Sequence, residues 1–198
     1  MTISRVKRYS LPPVDKREVL RYAGVRSSSG ESDELYRRLD EVINMVEQIL
    51  DPRVCYCELD ISECDFGCSL DIKKNLRDSH SVIFFAATIG IELDRLIFRH
   101  SVLSPVTALL LESLGNERIE ALCDTFNEDM RKIKLEFGEV LRPRFSAGYG
   151  DFSIEYQRKI FEVLDPPTSI GLTLNNSYLM TPLKSVTALI GVEKIKEL

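Results

Sequence analysis

Residues 81–87 read SVIFFAA, a run of seven residues of which the last six are apolar. An uninterrupted run of this length, rich in β-branched and aromatic side chains, predicts a strand that is buried on both faces. Residues 53–60, RVCYCELD, alternate in character with a period of two and predict a second strand. Further strand candidates follow near the C-terminus, at Thr173–Leu174, Tyr178–Met180 and Ser185–Val192.

Helical periodicity occupies much of the remaining chain. Apolar residues recur at spacings of three and four from Glu31 to Leu50 and predict an amphipathic helix. The longest helical region runs from about Val102 to Phe137, with Gly115 as a candidate interruption. Shorter helices are predicted after a capping Asp15 and ending at Gly24, at Leu70–Leu76, from Leu93 to near His100, and at Ser153–Leu164, where Asp165-Pro166-Pro167 ends the helix.

The order of these segments indicates the fold class. Strands and helices are mixed without the regular βαβ alternation of a parallel sheet. We therefore predict an α+β fold with a mixed or antiparallel twisted sheet and several helices, one of them long. A length of 198 residues favours a single domain over residues 1–198. Residues 1–13, ending in Pro12-Pro13, are predicted to form a loose arm.

Composition excludes several classes of protein. Hydrophobic residues make up 44% and charged residues 29%, which excludes a disordered chain, a collagen-like chain and a disulfide miniprotein. A net charge of −5 argues against nucleic acid as the main partner. No stretch has the ~18 consecutive apolar residues of a membrane helix, and the N-terminus does not resemble a secretory signal. With five cysteines, an odd number, these features predict a cytoplasmic protein with reduced thiols.

Four cysteines lie close together in the sequence: Cys55, Cys57, Cys64 and Cys68. Four thiolates could hold zinc or an iron–sulfur cluster. The spacing C-x-C-x6-C-x3-C does not match paired C-x2-C knuckles, and Cys55 and Cys57 alternate on a predicted strand, where free cysteine commonly packs as a small apolar residue. Packing is the favoured interpretation, and a metal or redox module is the alternative. Cys123 lies on an apolar helical stripe and is predicted to be in the core.

The loop at residues 144–151, RFSAGYGD, is the most informative segment for function. Its glycines, Gly148 and Gly150, allow a positive φ or a close approach of backbone to a ligand. Arg144 can bind a carboxylate through two parallel hydrogen bonds, and Tyr149 can project into a cleft. The alternative is an ordinary glycine-containing turn with a surface salt bridge. Asp124, in the long helix beside the apolar stripe, is open to the same two interpretations.

Common catalytic signatures are absent from the sequence. It contains no phosphate-binding loop of the GxxxxGK[ST] type, no GxGxxG after a strand, no HExxH and no GxSxG. His80 and His100 are its only histidines, so a hydrolytic triad is not expected.

Three segments, in order and at suitable spacing, resemble one family. The loop RFSAGYGD resembles the R-x-x-x-G-Y loop of the activation domain of cobalamin-dependent methionine synthase. Ala86–Gly90, AATIG, is similar to the A-A-T-[IL]-G segment of that family. Leu174–Val186, LNNSYLMTPLKSV, is similar to its L-T-[EN]-x3-M-x-P-x2-S-V segment. The resemblance extends from about Asp15 to Val192 and implies a free-standing form of the domain.

This resemblance implies a function in methionine biosynthesis. The family binds S-adenosylmethionine and presents its methyl group to cobalamin on a partner domain, while a flavodoxin-like donor supplies an electron. The expected partner of this chain is a separate cobalamin-binding methionine synthase or a related corrinoid protein. The chain would then be a component of a methyltransferase rather than a complete enzyme. Methyl transfer from a sulfonium to a cobalt nucleophile depends on alignment and exclusion of water more than on an acid or base.

The resemblance also implies roles for particular residues. Arg144 would bind the methionine carboxylate, Asp124 the α-ammonium group, and Tyr149 would face the corrin and the reacting methyl group. Gly148 belongs to the same binding loop. The remaining expected ligand contacts are the acidic side chain of Asp15 and the backbone at Ile190 and Gly191, where the aromatic residues of the family are replaced.

Two alternatives of other classes remain open. The first is a non-catalytic scaffold that kept the fold and binds a corrinoid methyltransferase without using the ligand. The second is a metal or redox module built on the four clustered cysteines.

Overall fold

A computed structural model describes residues 4–25 and 33–195 of the chain. Its strands are β1 (Arg5–Arg8), β2 (Arg53–Asp60), β3 (Ser81–Thr88), β4 (Glu139–Leu141), β5 (Thr173–Leu174), β6 (Met180–Thr181) and β7 (Ser185–Lys194). Five of them form an antiparallel sheet in the order β1-β2-β3-β7-β4, and β5 pairs with β6 separately. The α+β prediction is therefore confirmed.

Seven α-helices lie within the described ranges. They are α1 (Lys16–Tyr22), α2 (Asp33–Glu47), α3 (Leu70–Asn75), α4 (Glu92–Leu103), α5 (Pro105–Glu136), α6 (Gln157–Leu164) and α7 (Pro166–Ile170). Two 3₁₀ turns, Ile61–Glu63 and Ile154–Tyr156, precede α3 and α6. None of the helices in the described ranges combines the length and the apolar character needed to cross a membrane.

The central strand β3 separates two hydrophobic clusters. Ile83 and Phe85 point to one side, where α1, α2, α4 and α5 cover the sheet. Val82 and Phe84 point to the other side, where α3, α6 and α7 pack. We call these sides the α5 face and the α6 face. All eight residues of β3 are buried, so the prediction of a strand covered on both faces is confirmed.

The long helix is anchored to the sheet by aromatic packing. The ring of Phe126 on α5 lies 4.9 Å from that of Phe85 on β3 and 5.2 Å from that of Tyr56 on β2. Burying one phenylalanine side chain stabilises a fold by roughly 1.5–3 kcal/mol. These contacts pack α5 against β2 and β3 in the middle of the sheet.

Several predicted boundaries require correction. The long helix does not begin at Val102, because α4 continues to Leu103 and the extended backbone of Ser104 separates it from Pro105. Gly115 does not interrupt α5; it allows close packing, since a Cβ at this position would collide with the side chains of Leu93 and Lys184. Residues 31 and 32 of the predicted second helix lie outside the described residues.

The predicted loose arm is wrong at Arg5–Arg8. These residues form β1, which pairs with β2 although all four are exposed. Three further elements were missed or misplaced. The strand β4 was not predicted, Pro166–Ile170 forms α7 after the predicted stop at Asp165, and the strand expected at Tyr178–Met180 is Met180–Thr181, since Tyr178 has a φ of 60°.

Candidate functional site

The loop predicted to carry the function leaves the sheet beside β7. The backbone N–H of Phe145 donates to the carbonyl of Leu189 over 2.8 Å, and the N–H of Leu189 donates back over 2.9 Å. The chain then turns tightly, with the N–H of Gly148 donating to the carbonyl of Phe152 over 2.7 Å. The turn requires the φ of 96° found at Gly148, and it leaves Tyr149 at the tip, 69% exposed.

The Arg144 guanidinium joins this loop to the long helix. Its Nη2 lies 2.5 Å from Oε2 of Glu120, and its Nη1 lies 2.7 Å from Oδ1 of Asp124. The two acids are four residues apart and therefore share one face of α5. Burial works to lower the pKa of Arg144, but the neighbouring Cys123, Glu120 and Asp124 outweigh it and raise that pKa. The structure thus places Arg144 and Asp124, two of the predicted site residues, in direct contact.

A cavity of about 370 Å³ opens beside this ion pair. Its walls include Glu120, Arg144, Ala147, Tyr149, Gln157 and Met180, and the first residues of β7, Ser185–Thr187. Its volume lies within the range of about 300–1,000 Å³ typical of small-molecule sites. A positive side chain with an acidic partner stands in one part of the lining, and apolar or neutral side chains form the rest.

Glu120 is a site residue that the sequence analysis missed. It lines the cavity, whereas Asp124 does not, and the Asp124 side chain is 74% exposed. The Glu120 side chain is 44% exposed and lies one helical turn nearer the N-terminus of α5. The four-residue spacing between two acids on one helix could have identified it once Asp124 was chosen.

Asp151 fixes the end of the loop by capping helix α3. Its carboxylate accepts hydrogen bonds from the Ser69 hydroxyl, from the N–H of Leu70 over 2.7 Å and from the N–H of Asp71 over 3.1 Å. In return, the N–H of Asp151 donates to the Asp71 carboxylate over 3.1 Å. The hydrogen bond from Ser69, followed by those from the backbone, holds the pKa of Asp151 below its ordinary value. We call this reciprocal pair the Asp71–Asp151 clamp.

Five of the predicted ligand-binding residues lie outside the cavity lining: Asp124 and Gly148, and also Asp15, Ile190 and Gly191. Asp15 caps α1, with Oδ1 accepting from the N–H groups of Arg17 and Glu18 over 3.0 and 3.2 Å. Ile190 is fully buried in β7 opposite Ile83. Gly191 pairs with Val82 and accepts a hydrogen bond from the N–H of Arg142 over 2.8 Å. The described residues of β7 that line the cavity are Ser185–Thr187, at the start of the strand.

The four clustered cysteines differ in burial: Cys55 and Cys57 are buried, Cys64 is half-buried and Cys68 is exposed. Cys55 and Cys57 are buried against the α6 face, which confirms the packing interpretation, and Cys123 is buried in the core as predicted. Burial raises the pKa of the Cys57 and Cys64 thiols, each to about 11, so both are protonated at neutral pH. In the part of the chain that the structure describes, no three His, Cys, Asp or Glu side chains are grouped to hold a metal ion.

A larger depression, of about 860 Å³, lies on the other side of the same loop. Phe66 and Tyr156 stack in it with ring centroids 6.0 Å apart. Its charged residues Arg158, Lys159 and Glu162 are exposed. Exposed charges are well solvated and bind weakly, so we assign the candidate site to the smaller cavity, where Arg144 is held by acids from α5.

Comparisons with known proteins address the fold. A scan against protein families finds no match for this chain, and a search of curated proteins also finds none. Among solved structures, the MetH reactivation domain bound to AdoHcy is similar, with a TM-score of 0.68. The chain has the fold of the MetH reactivation domain.

This similarity covers 98% of the present chain and 80% of the MetH reactivation domain. The two sequences are only 14% identical, so what they share is the arrangement of sheet and helices.

Proposed function

We propose that this chain binds S-adenosylmethionine in the Arg144 cavity and supports the reductive methylation of cob(II)alamin on a separate cobalamin-dependent methionine synthase or a related corrinoid protein. The observation that carries the proposal is the Arg144–Glu120 ion pair in the wall of a 370 Å³ cavity. It is supported by the similar fold of the MetH reactivation domain, which was solved with AdoHcy bound.

The charges at the cavity complement this ligand. S-adenosylmethionine carries a carboxylate, an α-ammonium group and a sulfonium. The Arg144 guanidinium can bind the carboxylate through parallel hydrogen bonds. Glu120, with the more exposed Asp124 behind it, supplies negative charge for the ammonium group.

The ion pairs of Arg144 favour this binding. Arg144 is already oriented by Glu120 at 2.5 Å and Asp124 at 2.7 Å. A zwitterion can exchange with this pair, because its carboxylate takes a place on Arg144 while its ammonium group takes up an acid. The carboxylate and the ammonium group of the amino acid are then both paired, which avoids the large penalty of an isolated charge at either group.

Tyr149 is suited to a position between ligand and partner. It lines the cavity and is also 69% exposed. A corrin ring on a docked partner could therefore reach Tyr149 and the ligand behind it. The Asp71–Asp151 clamp keeps the loop in place, so that the methyl group would be aligned and water reduced when the partner docks.

In the proposed reaction, one electron from a flavodoxin-like donor and one methyl group from S-adenosylmethionine convert cob(II)alamin to methylcobalamin and release S-adenosylhomocysteine. The methyl donor supplies an electrophilic carbon, and the transfer requires no proton. The described lining residues of the cavity include no histidine or cysteine, in keeping with a site that aligns reactants. The five free thiols are typical of a reducing compartment, and we propose a cytoplasmic location.

Reconstitution tests the proposal. A cobalamin-dependent methionine synthase lacking its own activation domain, inactivated as cob(II)alamin, is incubated with S-adenosylmethionine, reduced flavodoxin and this chain. We expect methionine synthesis to resume, to be lost with Tyr149→Ala, and to persist with Phe98→Ala, which removes another exposed aromatic ring outside the cavity. Recovery with Tyr149→Ala equal to the wild type would favour the scaffold alternative, and no recovery with the wild type would contradict the proposal.

A further inference from the structure

Gln157 is a buried residue of the cavity wall with an unused hydrogen-bonding atom. It is the first residue of α6, it is only 6% exposed, and it lines the Arg144 cavity. Among the residues that the structure describes, its Oε1 finds no hydrogen-bond donor. Since buried polar groups are nearly always paired, the unpaired acceptor of this wall residue is a hydrogen-bonding capacity that the described residues leave unused.

The position of Gln157 separates it from the charged part of the cavity. Glu120 belongs to α5, and Arg144 is held by α5 residues, so both belong to the α5 face. Gln157 belongs to α6, whose residues Ile160 and Leu164 pack on the α6 face. The charged side chains of the cavity wall, Glu120 and Arg144, therefore come from one face of the sheet, and the neutral amide of Gln157 comes from the other.

We infer that Gln157 reads the base of the bound nucleoside, with Oε1 accepting a hydrogen bond from the exocyclic amino group of adenine. This inference rests on the proposed function and names the group that holds the adenosyl part. An amide matches adenine well, because its acceptor and donor can bind the amino group and a neighbouring ring nitrogen together. The charged side chains of Arg144 and Glu120 would bind the amino-acid part of the ligand. Ala147, Met180 and Val186 provide apolar surface for the adenine ring.

This assignment has a consequence for stability. An unsatisfied buried acceptor destabilises the free protein. Gln157→Met keeps the length of the side chain and removes the polar atoms, so it should raise the melting temperature of the free protein while weakening ligand binding. A glutamine with a structural role would lower the melting temperature when replaced.

Two ligands separate the parts of the cavity in a calorimetric titration of the full chain. S-adenosylhomocysteine carries both the base and the amino acid, and 5′-methylthioadenosine carries the base alone. Gln157→Met should weaken the binding of both by about tenfold, as expected for one lost hydrogen bond in a buried site. Arg144→Ala should weaken only S-adenosylhomocysteine. Gln48→Met, the same change at an exposed position, should alter neither.

The outcomes distinguish this inference from the proposed function. A wild-type chain that binds neither ligand overturns both. Binding of S-adenosylhomocysteine that depends on Arg144 but is unchanged in Gln157→Met overturns only the role of Gln157. The same holds if Gln157→Met weakens S-adenosylhomocysteine but not 5′-methylthioadenosine, because the amide would then serve the amino acid.

A measurement on the wild type alone covers the case in which Gln157→Met fails to fold. The N6,N6-dimethyl derivative of 5′-methylthioadenosine has no hydrogen to donate from its exocyclic nitrogen. We expect it to bind about tenfold more weakly than 5′-methylthioadenosine. Equal affinity for the two compounds would overturn the assignment of Gln157.

Discussion

Oε2 of Glu120 lies 2.5 Å from Nη2 of Arg144, and both residues line the same cavity. Asp124 also contacts the guanidinium, at 2.7 Å, but its side chain is 74% exposed. Exposed carboxylates are solvated and their charge is screened by salt, so their ion pairs contribute little free energy. Glu120 is therefore the acid better placed to act on a ligand, although the family resemblance pointed to Asp124.

The first prediction compares these two acids. Glu120→Gln should weaken the binding of S-adenosylhomocysteine about tenfold, since a hydrogen bond to a charged group contributes about 1.5–3 kcal/mol. Asp124→Asn should weaken it less than about threefold, as expected for an exposed ion pair. Isothermal titration calorimetry measures both. Glu128→Gln is the control, because it alters an acid of the same helix and the same exposure that pairs with Arg131 and does not line the cavity. A larger effect for Asp124→Asn than for Glu120→Gln would reverse the assignment.

The second prediction concerns the pH dependence of the Asp71–Asp151 clamp. The pKa of Asp151 is lowered by hydrogen bonds from Ser69 and the backbone. Its ionised form therefore stabilises the fold above the ordinary carboxyl pKa of about 3.9, and this contribution is lost as the pH falls through the lowered value. In urea unfolding, Asp151→Asn should be less stable than the wild type at neutral pH, and this difference in the free energy of unfolding should narrow as the pH falls below the ordinary carboxyl pKa.

The exposed Asp78 provides the control for the clamp. Asp78→Asn should differ little from the wild type at either end of this pH range, because surface substitutions usually change stability by less than about 0.5 kcal/mol. A gap for Asp151→Asn that is constant with pH would show that its carboxylate does not titrate with folding.

The third prediction concerns Gly150, which has a φ of 55°. A Cβ at this position would also collide with the Asp71 carboxylate that belongs to the clamp. Gly150→Ala should therefore destabilise the fold by at least about 2 kcal/mol, from backbone strain together with a disturbed helix cap. Gly24 has a φ of 74° with open space around it, so Gly24→Ala should cost only the strain, about 1 kcal/mol. Equal losses for the two variants in chemical denaturation would contradict the contact with Asp71.

The fourth prediction concerns a buried ion pair on α5. Glu117 and Arg118 are 5% and 4% exposed and are bound to each other. Arg118 Nη1 also donates to the carbonyl of Pro12 over 2.6 Å, and Glu117 Oε1 accepts from the N–H of Asp15 over 3.1 Å. Glu117→Gln leaves a buried cation without its counter-charge and should destabilise the protein by about 3 kcal/mol.

An exposed pair provides the comparison for Glu117. At the surface, Nη1 of Arg95 lies 2.6 Å from Oε1 of Glu92. Glu92→Gln should lower the free energy of unfolding by less than about 1 kcal/mol. Urea unfolding measures both variants. A loss below about 1 kcal/mol for Glu117→Gln would mean that the carbonyl of Pro12 and solvent compensate Arg118 without the carboxylate.

Local patterns were sufficient to predict much of the fold. The apolar run at residues 81–87 identified β3, and alternation at residues 53–60 identified β2, because side-chain burial imposes these patterns directly. Strand β1 escaped prediction because its residues RVKR are all exposed, and it exists through backbone pairing with β2, about fifty residues later. A local sequence pattern cannot show pairing with a strand that is so distant in sequence.

The site was predictable only in part for the same reason. Arg144, Tyr149 and Asp124 were found through the loop and its family resemblance, and the structure brings Arg144 and Asp124 into contact. Glu120 and Gln157 come from different helices on opposite faces of the sheet and meet only at the cavity. Ile190 and Gly191 were chosen by alignment to that resemblance, but they lie outside the cavity lining, to which β7 contributes Ser185–Thr187. Whether such residues line the cavity depends on how the helices and strands pack against one another, and a single sequence does not show that packing.

The central claim is that the Arg144 cavity binds an S-adenosyl amino acid. The most direct test is a calorimetric titration of the wild-type chain and of Arg144→Ala with S-adenosylmethionine. We predict one bound ligand per wild-type chain and an affinity at least about tenfold lower for Arg144→Ala, since a bidentate charged contact is lost. Absence of binding to the wild type, or equal affinity for the two proteins, would contradict the claim.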